Sequence, residues 1–144
     1  MRYYKRLKQY KASNMVVDLE NQTAHSYGWW CFWTVENGVS LFNSTFYSQS
    51  TCGHQSKASR VIDRGHDLVL RHTKANLTNP AEAVISEING IVYEIEQLTE
   101  LIKKPRTHKA KNEQRRQKIE EHKKQIEYCQ SILMKLTAPQ VTAV

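Results

Sequence analysis

The chain lacks several features that would place it in a familiar class of protein. Its 144 residues contain no run of about 18 apolar residues, so the sequence predicts no membrane-spanning helix. The three cysteines, Cys31, Cys52 and Cys129, are odd in number and far apart, which favours free thiols in a reducing compartment over a disulfide framework. The N-terminal region has no apolar stretch of signal-peptide length, so we expect a cytoplasmic protein.

Patterns that indicate catalysis or metal binding are also missing. The sequence offers no paired carboxylates, no glycine-rich phosphate loop and no closely spaced ligands such as C-x-x-C. His66 and His72 are six residues apart, and Cys52 and His54 are two apart, and neither spacing is diagnostic of a metal site. We therefore predict a binding protein rather than an enzyme, with no catalytic residue, no metal ligand and no cofactor.

Positive charge is plentiful, and it is concentrated in two short tracts. The tract 103–118 carries eight Lys or Arg residues and one acid, a net charge of +7, which equals the net charge of the whole chain. These basic residues are Lys103, Lys104, Arg106, Lys109, Lys111, Arg115, Arg116 and Lys118. A second basic cluster, which includes Arg2, Lys5 and Arg6, lies near the N-terminus. The rest of the chain is mildly acidic, so the asymmetry points to an anionic partner, with nucleic acid as the first hypothesis.

The first half of the chain, residues 1–78, has the pattern of a small antiparallel sheet. Two apolar-rich runs flank Asn37-Gly38, a pair that suits the positive φ angles of a two-residue type I′ turn. With that loop, Glu36 faces Val39, Trp33 faces Phe42 and Trp29 faces Phe46. One strand face would then hold Trp29, Cys31, Trp33, Val35, Phe42 and Phe46, and we assign this face to the core. The opposite face is also apolar and needs cover from the helical half or from a second subunit. Further strands are predicted at 15–19 and 66–72, with a short helix at 54–62, which gives three or four strands.

The second half, residues 79–136, has the pattern of a helical hairpin. Asn79-Pro80 predicts a helix start, and Pro105 ends that helix. Both helices carry heptad seams, and the short link between them makes the helices antiparallel, with the basic tract at the tip. Gly90 is a poor helix former and so indicates a close packing contact. We predict an α+β fold in a homo-oligomer, with residues 137–144 as a tail of no assigned role.

Two further segments are candidates for ligand contact. The aromatic cluster at 27–33 can stack on bases, with Trp30 and Phe32 the expected exposed members, although core packing explains most of it. The segment 47–57 combines hydroxyls, a glycine and a histidine before a predicted helix, which favours either a capped connection or an anion site. The anion or nucleotide site would use Ser50, Thr51, His54, Lys57 and Arg60.

The segments HSYGWW (25–30), FNSTFYS (42–48) and STCGHQ (50–55) carry a resemblance. The sequence resembles small uncharacterised accessory proteins of tailed bacteriophages, which often show a strand ending Tyr-Ser, then a Ser/Thr pair and a His that opens a helix. The resemblance implies a phage protein that acts in the host cytoplasm on host machinery or host defence. It leaves two alternatives to nucleic-acid binding open: inhibition of a host protein, and sequestration of a signalling nucleotide.

Overall fold

A computed structural model describes residues 9–12, 14–62, 65–104 and 109–138, and it has the predicted α+β architecture. Within these ranges, six strands and three helices follow one another: β1 (Gln9–Ala12), β2 (Met15–Asp18), β3 (Thr23–Ser26), β4 (Trp30–Glu36), β5 (Val39–Asn43), α1 (Gln49–Val61), β6 (Leu68–Leu70), α2 (Pro80–Lys103) and α3 (Lys109–Thr137). In the described part of the chain, no helix combines the length and the apolar character needed to cross a membrane.

The six strands form one mixed sheet, so the prediction of three or four strands was wrong in number. The strands lie in chain order, with β1 to β5 antiparallel and β6 parallel to β5. The two missed strands, β1 and β3, have the sequences QYKA and TAHS. Each segment has only four residues and no Val, Ile, Leu or Phe, so the local signal is too weak to predict a strand, and pairing with neighbouring strands fixes the conformation.

The hairpin of β4 and β5 confirms the predicted turn. Asn37 and Gly38 have φ angles of 51° and 75°, as a type I′ turn requires, and Glu36 pairs with Val39. Trp33 also pairs with Phe42 as predicted. The expected pairing of Trp29 with Phe46 was wrong, because β5 already ends at Asn43.

A β-bulge in β4 overturns the predicted assignment of its two faces. Ala24 pairs with Trp33 and His25 with Cys31, so Phe32 is an extra residue opposite β3. A bulge shifts the alternation of side chains along a strand. Trp33 therefore joins Trp30 and Phe32 in one buried cluster, whereas Cys31 lies in the other.

Helices cover both faces of the sheet. One face packs on α1 through a cluster that contains Trp30, Phe32, Trp33, Ala58 and Val61. The opposite face packs on the α2–α3 pair through a cluster that includes Leu41, Leu70, Val84, Ile91, Cys129 and Ile132. The cover that the second face requires thus comes from helices of the same chain, from α1 over Trp30 and Phe32 and from the α2–α3 pair over Leu41, so the sheet by itself gives no reason for a second subunit.

The helix boundaries agree with the sequence except at α1. This helix begins at Gln49, five residues before the predicted start, because the Ser48 side chain accepts a hydrogen bond from the Thr51 N–H and caps the first turn. In α2, Pro80 occupies the first turn as predicted, but the Asn79 side chain makes no capping hydrogen bond. The predicted seam residues of both helices are all buried or half-buried, which confirms the heptad interpretation. They are Val84, Ile88, Ile91, Ile95, Leu98 and Ile102 in α2, and Ile119, His122, Ile126, Cys129, Leu133 and Leu136 in α3.

Candidate nucleic-acid interface

The predicted basic tract lies at one end of the α2–α3 pair. Lys103 ends α2 and Lys104 follows it, whereas Lys109 begins α3. The remaining described cations of the tract, Lys111, Arg115, Arg116 and Lys118, lie within the first three turns of α3, and all the described cations are exposed except Arg115, which is half-buried. Arg106 lies outside the described residues, as do Arg2, Lys5 and Arg6 of the second basic cluster.

Neutralisation of this tip by the protein's own acids is slight. Lys103 lies 3.9 Å from a Glu100 carboxylate oxygen, and Arg116 lies 3.9 Å from Glu113. Both are long contacts between neighbouring turns of one helix, and exposed pairs of this kind contribute at most about 1 kcal/mol. Within the ranges that the structure describes, Lys109, Lys111 and Lys118 make no ion pair. The tip therefore keeps most of its positive charge for an external anion.

A groove between the two helices lies inside the basic tip. It encloses about 380 Å³ and is lined by Leu98 of α2 and by Lys111, Gln114, Arg115 and Lys118 of α3. Three of these five residues are cationic, and none is acidic. Arg115 donates a hydrogen bond of 3.0 Å from Nη1 to the Asn112 side chain, which holds its guanidinium group at the groove. The groove thus offers three charged donors, of which Arg115 is held in place, to an anion such as a phosphate.

The predicted anion site on α1 is divided between the interior and the surface. Thr51 and His54 are buried, and both contact the Ser26 hydroxyl, with His54 Nδ1 2.7 Å from Ser26 Oγ. Ser50, Lys57 and Arg60 are exposed. The Ser48 hydroxyl caps the helix, so the local chemistry matches the capped connection that the sequence analysis kept as an alternative.

The aromatic cluster is arranged differently from the prediction. Trp30 and Phe32, expected to face a ligand, are buried, with 2% and 0% of their surface exposed, because α1 covers their face of the sheet. Tyr27 and Trp29 are the exposed members instead. They belong to the tight turn between β3 and β4, where Tyr27 and Gly28 have φ angles of 54° and 77°.

A cleft between β6 and the helix pair brings together residues that sequence reasoning did not connect. Glu87 of α2 is only 1% exposed and accepts hydrogen bonds from the N–H groups of Arg71 and His72 and from His72 Nδ1 at 2.8 Å. The ring of His122 on α3 lies edge-on to His72, with centroids 5.9 Å apart. These side chains help to line a cavity of about 450 Å³. His72 and His122 are fifty residues apart, so no local motif could have indicated their contact.

The main chemical feature of this cleft is the imidazole ring of His72, which Glu87 orients. The Glu87 carboxylate contacts the His72 ring at Nδ1, which orients the ring, and it also closes the hydrogen bonds at the end of β6. His122 Nε2 is buried and has no hydrogen-bond partner among the residues that the structure describes. Burial lowers the pKa of His122, and the neighbouring His72 and Lys118 lower it further. Among the described residues, no group of three or more His, Cys, Asp or Glu side chains is placed to hold a metal ion.

Comparisons of the chain with protein-family models, with curated proteins and with solved structures find no match. The resemblance to phage accessory proteins therefore depends on the short segments that carry it, and the candidate function depends on the geometry of the tip.

Proposed function

We propose that this protein binds nucleic acid through the basic tip of its α2–α3 hairpin. The observation that carries the proposal is the groove lined by Lys111, Arg115 and Lys118, in which the cations face a shared space without an acid among the lining residues. The proposal is one of binding and includes no catalytic step. It extends to a phage accessory role in the host cytoplasm, which the resemblance implies.

A polyanion suits the tip better than a single small anion. The cations of α3 extend from Lys109 to Lys118, which is about 14 Å along the helix axis at roughly 1.5 Å per residue. Lys103 and Lys104 add charge from the end of α2. A single phosphate can contact only a few of these groups, whereas a nucleic-acid backbone presents repeated phosphates along this distance.

The test is the double substitution Arg115→Glu with Lys118→Glu, measured by fluorescence anisotropy on labelled oligonucleotides over a range of salt concentrations. Each phosphate contact releases counterions, with a log–log slope of roughly −0.9 per contact on duplex DNA. We expect at least tenfold weaker binding and a salt slope smaller by about two contacts.

A matched control is available on the same helix. Lys123→Glu with Lys124→Glu makes the same change in net charge at exposed positions outside the tip. This variant should bind within about threefold of the parent protein, because neither lysine lines the groove. Equal losses in the two variants would show that net charge, and not the groove, determines affinity, and the proposal would then be rejected.

A further inference from the structure

Two exposed aromatic side chains meet on the surface near the start of α2. Trp29 is 54% exposed and Tyr47 is 37% exposed, and their rings contact edge to face, with centroids 5.8 Å apart. The Nζ atom of Lys74 lies over the Tyr47 ring at 5.7 Å from its centroid. We call these three residues the aromatic shelf. Large aromatic side chains are normally buried, so an exposed pair with a cation beside it indicates a contact surface.

Hydrogen bonds hold the aromatic shelf in place. The Asn76 side chain donates to the Trp29 carbonyl at 2.5 Å and accepts from the Cys31 N–H at 3.0 Å. The buried Trp30 donates from its indole nitrogen to the Lys74 carbonyl at 2.9 Å, and its ring lies under Tyr47 with centroids 5.1 Å apart. These contacts attach the segment 74–76 to the turn that carries Trp29, so a ligand would meet a surface that is already formed.

The chemistry of the shelf suits an unpaired nucleobase. Every base has a π face that stacks on an aromatic ring, and a lysine at the ring provides the charge for the adjoining phosphate. Bases within a duplex are stacked on one another and do not offer these faces. A symmetric contact between two copies of the chain would bring two Lys74 side chains toward one another, which disfavours self-association through the shelf.

We propose that the aromatic shelf binds single-stranded nucleic acid by stacking bases on Trp29 and Tyr47, with Lys74 contacting the backbone. This inference rests on the proposed function and specifies its ligand as single-stranded. The segment of the shelf that carries Lys74 precedes α2, and the basic tip follows the other end of that helix. The 24 residues of α2, about 36 Å long at roughly 1.5 Å per residue, run between them in the chain.

Tryptophan fluorescence provides a direct test. Among the three tryptophans of the chain, Trp30 and Trp33 are buried and Trp29 is exposed, so a base stacked on the shelf should quench the emission of Trp29 selectively. The ligand is an oligothymidylate of about 20 nucleotides. This is longer than the roughly 11 nucleotides that would cover the 36 Å length of α2 at about 3.4 Å per nucleotide. We expect quenching on titration with the single strand, and no quenching with Trp29→Phe even though that variant still binds.

Affinity provides the second readout. Trp29→Ala and Tyr47→Ala should each weaken binding of the single strand by roughly 5- to 100-fold and leave binding of a duplex of equal length unchanged. Tyr93→Ala is the matched control, because Tyr93 is also an exposed tyrosine but lies on α2 away from the shelf. It should bind both ligands as the parent protein does. Thermal unfolding of each variant checks that the fold is retained, and Trp29→Phe gives a milder substitution if the alanine variant unfolds.

The outcomes separate this inference from the proposed function. If Arg115→Glu with Lys118→Glu weakens binding but the shelf variants do not, the tip hypothesis stands and the shelf is rejected. If the shelf variants weaken binding of the single strand and the tip variant does not, the shelf stands and the tip is rejected. If the parent protein binds neither ligand, both are rejected. A dimer in sedimentation that Trp29→Ala dissociates, with affinity unchanged, would make the shelf a contact between copies and would also reject the inference.

Discussion

Gly90 of α2 packs directly against the backbone of His72. A Cβ atom built on Gly90 would overlap the His72 carbonyl oxygen and lie 2.8 Å from its Cβ. One turn earlier on the same helix, Glu87 accepts the His72 N–H. The absence of a side chain at Gly90 therefore lets α2 approach closely enough for Glu87 to reach the end of β6, which explains why a poor helix former lies in the middle of this helix.

We predict that Gly90→Ala destabilises the protein by about 2 kcal/mol, because overpacking against backbone outweighs the gain of about 1 kcal/mol in helix propensity. Gly53→Ala in α1 is the matched control, since a Cβ there meets nothing within 4 Å. That variant should be more stable by about 0.5–1 kcal/mol. Urea denaturation measures both changes, and a Gly90→Ala protein as stable as Gly53→Ala would contradict the packing argument.

Glu87→Gln should destabilise the protein by about 2 kcal/mol, because the carboxylate accepts three hydrogen bonds in a buried position and hydrogen bonds to charged groups are the strongest of their kind. Glu82→Gln makes the same chemical change at an exposed site of the same helix and should alter stability by less than about 0.5 kcal/mol. Thermal unfolding by circular dichroism compares the two. Similar small effects in both variants would mean that the buried carboxylate is dispensable.

His122 should make the protein less stable in acid. Its pKa is lowered from the ordinary value of 6.5 in the folded state, chiefly by burial, and then by His72 and Lys118 against the opposing Glu94 and Glu121. The unfolded chain therefore binds a proton at His122 more readily than the folded chain does. The contribution of the neutral His122 ring to stability is complete above pH 6.5 and is lost as the pH falls through the lower pKa of the folded state.

His122→Leu tests this pH dependence, because it removes both the titrating ring and the nitrogen that has no partner. We expect the variant to be more stable by about 1 kcal/mol at neutral pH, since a buried unsatisfied group is costly. Its stability should also fall less than that of the parent protein between about pH 7 and pH 5. Parallel pH profiles for the two proteins would show that His122 does not titrate in this way.

The thiols should differ sharply in reactivity. Cys31 and Cys129 are buried, and burial raises the pKa of each to about 11, whereas Cys52 is exposed. Thiolates are the reactive form, so the native protein should present a single thiol to a reagent such as dithionitrobenzoate near pH 8 and three after denaturation. Cys52→Ser should abolish the native reaction. Rapid labelling that persists in Cys52→Ser would show that one of the buried sites opens readily.

Local sequence signals predicted the elements whose formation depends on local chemistry. The turn at Asn37-Gly38 follows from the φ angles that these two residues accept, and the helices follow from heptad spacing and from Pro80. The basic tract was likewise visible as composition, and the structure places its described residues where the hairpin pattern predicted.

Features that depend on tertiary pairing could not be predicted in this way. The bulge at Phe32 changes the face of every later residue in β4, and nothing in the alternation of Trp30 to Val35 reveals it. Two strands formed from polar segments, because neighbouring strands supply their partners. The contact of His72 with His122 depends on how α3 packs over β6, and Trp29 is exposed because it lies in the turn before β4.

β6 connects the two halves of the molecule, although it has only three residues. It pairs with β5 on one side, the peptide groups after it are bound by Glu87 of α2, and Tyr128 of α3 donates a hydrogen bond to the carbonyl of Asp67 just before it. A one-residue insertion in β6 would reverse the alternation that buries Leu68 and Leu70 on one side of the strand. It would also shift the strand out of register with these partners. Insertions and deletions should therefore be tolerated least at this shortest of the described strands. The antiparallel strands β1 to β5 and the helical hairpin can each vary in length at their outer ends without loss of the fold.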